Sequence, residues 1–164
     1  NKLKSSMGIV YFLNSQAEYL HIAFCQNVAK EAKNLFAKKS KWKQETSYLD
    51  AVYSHFGLEL LLLEAKELSK HSPKGNRKRA LSITPLILSG REIWMEVRGE
   101  EIFALLISPQ KVVGVFKGDI TYFQENYANE KSIFGDLDHY PNVFAKLKSW
   151  TLKSRVKKIK IPWQ

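Results

Sequence analysis

Residues 58–76, LELLLLEAKELSKHSPKGN, narrow what this chain can become more than any other stretch. The leucines predict a helix, and the Ser72-Pro73 pair ends it, because proline biases the residue before it away from helical geometry. Gly57 closes whatever precedes. On a helical projection Glu59, Lys66 and Lys70 form a charged stripe. Glu64 lies off that stripe, with Leu60 and Leu68 one turn away on either side. A carboxylate beside an apolar face is costly to bury alone. It needs a cation, a hydrogen-bond donor or a water-filled cleft, and the plainest reading is a boundary side chain whose head reaches water.

The 164 residues suit one domain or a domain with a substantial extension. With 45% hydrophobic and 12% aromatic residues the chain can build a core, which argues against disorder. Its formal net charge of +10 favours a polyanionic partner, nucleic acid ahead of an acidic membrane surface. Cys25 is the single cysteine, so no internal disulfide forms and a reducing compartment is expected. No apolar run reaches the ~18 residues of a membrane-spanning helix. The apolar run after Lys4 is too short for a signal peptide and is followed by polar Asn14, Ser15 and Gln16. A soluble protein of the cytoplasm, nucleoid or an organelle matrix is the expectation.

In chain order, GIVYFL (Gly8–Leu13) and YLHIAFC (Tyr19–Cys25) read as strands joined in a hairpin. Asn27 is a good N-cap for the helix that Val28, Ala32, Leu35 and Phe36 outline. A basic loop, KKSKWK, follows. Thr46 then caps an expected helix over SYLDAVYSHF, ahead of the leucine-rich one, giving the order β-β-α-α-α. Beyond Asn76, residues 81–88, 92–97, 102–107 and 111–116 read as short strands separated by hairpin-grade turns. Residues 119–139 show no clear pattern. Pro141 suits a helix start, and the basic end KSRVKKIKIPW reads as an edge strand or an arm.

Over residues 7–85 the layout resembles the GIY-YIG nuclease domain, closest in spacing to its nucleotide-excision-repair branch. Gly8-Ile9-Val10 stands where the GIY strand begins, and His21-Ile22-Ala23 stands at the YIG position. NVAKEAKNLF matches the helix that follows. The sharpest match is the spacing E-x8-P-x2-N, here Glu64, Pro73 and Asn76, with Lys74, Arg77, Lys78 and Arg79 around the asparagine. The resemblance implies an α/β fold with a small mixed sheet and flanking helices over residues 1–85. Residues 86–164 are then a β-rich extension with a C-terminal helix and basic tail. It also implies a site of two tyrosines, an arginine, the asparagine and a glutamate that holds a divalent cation, magnesium or manganese.

Three of those five positions are altered. The first tyrosine falls on Val10, the second on His21 and the arginine on Glu31, while Ala23 replaces the glycine of YIG. Tyr11 is one residue along, but neighbouring strand residues point to opposite faces. Phosphodiester cleavage needs an activated nucleophile and positive charge on the transition state. Glu31 reverses that sign, and losing one such stabiliser costs ~10²–10³ in rate. His21, with an unperturbed pKa of about 6.5, is the candidate general base. Glu64 is the candidate metal ligand. Lys30, Lys33 or Lys74 would have to supply the missing cation.

Simpler readings stand beside these. His21 is a polar strand residue, Cys25 a small core residue, and His71 a dipole partner at a helix end. Tyr48, Tyr53 and Phe56 are packing residues. Trp42, among lysines, is either a base-stacking residue or a loop anchor. Three basic clusters are the candidate nucleic-acid contacts: Lys38, Lys39, Lys41 and Lys43; Lys74, Arg77, Lys78 and Arg79; and Lys157, Lys158 and Lys160. Without base-reading motifs they predict backbone contacts, steeply salt-sensitive, with DNA ahead of RNA. The sequence therefore points to a nucleic-acid-binding protein with a degenerate GIY-YIG site. The alternatives are a divergent endonuclease using Glu64, and a basic scaffold held in a larger protein complex.

Overall fold

The computed structural model describes residues 2–37, 41–76, 90–108, 112–129, 133–136 and 156–161. The chain divides into two compact units. The first is Asn1–His55 with Leu60–Ala80, and the second is Phe56–Glu59 with Leu81–Gln164.

In the first unit β1 (Gly8–Leu13) and β2 (Tyr19–Cys25) form the expected hairpin. Its turn is built by Asn14, whose Oδ1 accepts the N–H groups of Gln16 and Glu18, with Ala17 in the left-handed region. Helix α1 (Val28–Ala37) starts on Asn27, whose Oδ1 accepts the Lys30 N–H. The N–H groups of Val28 and Ala29 go instead to the carbonyls of Ser6 and Lys4. Part of the basic loop coils into a single turn, α2 (Lys41–Gln44).

The expected third helix is a strand, β3 (Tyr48–Tyr53). Its residues alternate between exposed and half-buried, the period of a strand with one covered face. Tyr48, Val52 and Tyr53 are strand formers, and β1 gains a second partner through them. Thr46 caps nothing forward: its Oγ1 donates back to the Trp42 carbonyl. Tyr48 is also not a packing residue, being 59% exposed.

The leucine-rich helix is α3 (Gly57–His71). It stops as expected, with Ser72 in the left-handed region and its N–H on the Leu68 carbonyl. A 3-10 turn, Lys74–Asn76, follows. The sheet order is β2-β1-β3, antiparallel throughout rather than mixed. One sheet face gathers Val10, Phe12 and Cys25 with Val28 and Leu35 of α1. The other gathers Ile9, Tyr11 and Ile22 with Leu60 of α3.

The second unit is a five-stranded antiparallel sheet. Its strands are β4 (Arg91–Arg98), β5 (Glu101–Ile107), β6 (Val112–Asp119), β7 (Gly135–Asp136) and β8 (Lys157–Ile161), in the order β7-β6-β5-β4-β8. The hairpin strands match expectation, and the basic end is an edge strand rather than an arm. Helix α4 (Ile120–Asn126) was not legible in the polar stretch. It starts because Asp119 accepts the Tyr122 N–H, and it buries Phe123 among Ile93, Met95 and Phe134. The expected strand over 81–88 and the helix at Pro141 lie outside the described residues.

The first turn of α3 belongs to the second unit. Its N–H groups at Gly57 and Leu58 point to the carboxylate of Glu96 on β4, which is fully buried, at 3.2 and 2.8 Å. Arg98 lies 3.3 Å from the same carboxylate. A long-range carboxylate thus replaces a local N-cap. Among the described residues no helix is long and apolar enough to cross a membrane.

Candidate functional site

In the hairpin register Val10 faces Ala23 and Phe12 faces His21, so these four share one sheet face. Tyr11 is paired with Ile22 and Asp50 and lies on the opposite face. There its ring packs 5.6 Å from Tyr19, and burial holds its hydroxyl far above the ordinary phenol range. Tyr11 therefore does not share the face of Val10.

His21 is only 6% exposed. The Trp42 indole of α2 lies flat on its imidazole, centroids 4.6 Å apart and planes 9° apart. Phe12 meets both rings edge-on, at 5.8 Å from His21 and 5.0 Å from Trp42. The 3-10 turn presses in nearby: a Cβ on Gly75 would lie 2.6 Å from the Leu20 carbonyl and 3.0 Å from His21 Nδ1. Only a glycine lets the backbone approach β2 this closely.

Strand β2 is at the sheet edge, and its outward backbone groups need partners. Asn76 supplies two: its Nδ2 donates to the Ile22 carbonyl at 2.8 Å and its Oδ1 accepts the Ile22 N–H at 3.0 Å. Glu64 supplies the next, accepting the Phe24 N–H through Oε2. The carboxylate is 2% exposed, so the expected boundary residue with its head in water is corrected: α3 and β2 bury it, and a backbone donor meets it. Glu64 and Asn76 do converge on one strand and close its edge, and the Pro73 carbonyl accepts the Asn76 N–H.

Magnesium and manganese ask for several oxygen ligands around an accessible position. Here one buried carboxylate already accepts a backbone N–H, and among the described residues no group of three or more His, Cys, Asp or Glu side chains could hold a metal. Buried and bonded to β2 in this conformation, Glu64 is not open to such a cation. The N-terminus of α1, where a phosphate would find N–H groups, is likewise occupied by Ser6, Lys4 and Asn27. Glu31 is half-buried one turn in, close enough to add to the burial that pushes the Cys25 thiol up to about 12.

No protein-family model matches the sequence, and no curated protein matches it. Among solved structures, the magnesium-bound GIY-YIG N-terminal endonuclease domain of UvrC from Thermotoga maritima is similar at 18% identity and a TM-score of 0.42. That match covers 45% of this chain and 86% of that one. An asparagine point mutant of the same domain, bound to its catalytic divalent cation, matches at 17% and 0.41 over 44% and 84%. Both matches span less than half of this chain.

The basic candidates separate. Lys41 on α2 is exposed and Lys43 half-buried. Lys74 is paired with Glu45, just past α2. Lys157 is exposed, and Lys158 and Lys160 stand across β4 from Trp94 and Glu92. Lys38, Lys39, Arg77, Lys78 and Arg79 lie outside the described residues. Sequence reasoning missed Glu45, which ties the α2 segment to the Asn76 turn. Its position directly after the basic loop was the available signal.

Proposed function

We propose that this chain binds nucleic acid through its basic surface and carries a GIY-YIG-like site that no longer cleaves. The observation that carries the second half is Glu64, 2% exposed with an oxygen on the Phe24 N–H. Without nucleic acid the indole of Trp42 also lies on His21, where a base would have to reach a substrate water or hydroxyl. The same face offers Val10 and Phe12, which have no group to donate or accept a proton. Glu31 adds negative charge where a phosphate would need positive. Glu64 serves the Phe24 N–H.

The first half rests on the +10 charge and on exposed Lys30, Lys33, Lys41 and Lys74, carried by α1, α2 and the turn beside the same face. These act as phosphate contacts, which carry no sequence information directly. DNA stands ahead of RNA through the excision-repair resemblance alone. The test is fluorescence anisotropy with equal-length double-stranded DNA, single-stranded DNA and RNA across a salt series. Affinity should fall linearly on a log–log plot for each probe. Absence of binding at low salt would contradict the reading.

One arrangement favours the runner-up, a divergent endonuclease using magnesium or manganese. Glu64 and Asn76 both bond to β2, the strand that carries His21, with Gly75 packed on His21. In that reading α2 would have to leave His21 before any chemistry, and plasmid nicking separates the two.

A further inference from the structure

We propose that α2 is a displaceable plug over the His21 corner, and that phosphate groups loosen it by taking Lys74 away from Glu45. This rests on the nucleic-acid reading above and adds to it a mechanism of regulation. A four-residue helix has no stability of its own, since nucleation alone exceeds what one turn returns. Its anchors include Trp42 against His21 and Phe12, the Thr46 hydroxyl on the Trp42 carbonyl, the Ser47 N–H on the Leu13 carbonyl, and the Glu45–Lys74 ion pair.

The anchors differ in how they can be undone. The aromatic contacts are half-buried and indifferent to salt. The ion pair is open to water, with side chains 44% and 48% exposed, so it is weak and readily exchanged. An ammonium donates to a phosphate oxygen as readily as to a carboxylate, so exchange keeps Lys74 paired and leaves Glu45 repelled by the incoming anion. Lys41, exposed on the plug itself, meets the same phosphates. The plug then lifts from His21, which lies against Gly75 and beside the Asn76 clamp.

The test reads His21 accessibility as its rate of carbethoxylation by diethyl pyrocarbonate, resolved from the other three histidines by peptide mass spectrometry. Glu45→Gln, without nucleic acid, should raise the rate about two- to fivefold, the size an exposed ion pair carries. Trp42→Ala should raise it further, with circular dichroism confirming that both variants are folded. Oligothymidylate should raise the wild-type rate and leave Glu45→Gln little changed, while anisotropy in the same samples reports occupancy. An unchanged rate in Glu45→Gln, or bound oligothymidylate without faster His21 modification, overturns the plug. If oligothymidylate does not bind at all, the nucleic-acid reading falls, and the phosphate trigger falls with it.

Discussion

Asn76 holds Ile22 by both backbone groups, its amide donating to the carbonyl and accepting the N–H. A side chain thus imitates the neighbouring strand that β2 lacks. The contact joins residues far apart in sequence, and it explains why a turn carrying Pro73 and Gly75 must lie close against the strand. Asn76→Ala should cost about 1–3 kcal/mol, since two backbone groups lose their partner at a half-buried edge. Asn76→Asp keeps the acceptor but loses the donor and should fall between. Urea denaturation of the three proteins checks the order.

Glu64 acts on the same edge through one oxygen. Glu64→Gln retains an acceptor for the Phe24 N–H and should change stability by less than about 1 kcal/mol. Glu64→Ala strands that donor and leaves a cavity under β2, costing roughly 2–4 kcal/mol. Equal losses in the two variants would show that the carboxylate's charge, not its acceptor, holds the corner.

Glu96 carries the start of α3. Glu96→Ala removes the acceptor of Gly57 and Leu58 and the partner of Arg98, with an expected loss of about 2–4 kcal/mol. Hydrogen exchange should show the added protection loss at the first turn of α3. Unchanged exchange there would contradict the cap.

Alkali provides a separate check. Burial, aided by Glu31, raises the Cys25 thiol to about 12 from its ordinary 9.0. Burial also raises Tyr11. In both cases the unfolded chain releases its proton first, so above pH 9 it binds fewer protons than the folded chain and stability falls as pH rises. Cys25→Ala should flatten the decline between pH 9 and 12. Iodoacetamide should label Cys25 slowly in the native protein at pH 8 and quickly once it is unfolded.

What the sequence made legible was local. The β1–β2 hairpin, the Asn27 cap, the leucine-rich helix with its Ser72-Pro73 stop and the hairpins of the second sheet all declare themselves within a few residues. Strand β3 did not, because YLDAVY fits either period and only pairing with β1 decides it. Helix α4 hid for a related reason, since its one deeply buried side chain, Phe123, leaves no apolar stripe to read. At the candidate site the spacing of Glu64, Pro73 and Asn76 was readable. The direction of Glu64 was not, because a helical projection ranks faces but cannot supply the Phe24 N–H. Nor could the sequence place Trp42 on His21, since that stack depends on how the α1–β3 connection folds back across the sheet.

The central claim is that this face no longer cleaves phosphodiesters. Nicking of supercoiled plasmid by wild type and Glu64→Gln, with magnesium and then with manganese, tests it most directly. The account predicts intact plasmid from both folded proteins in both metals. Metal-dependent nicking by wild type that disappears in Glu64→Gln would contradict it, and would mean that the buried carboxylate is exposed and rebuilt into a working site.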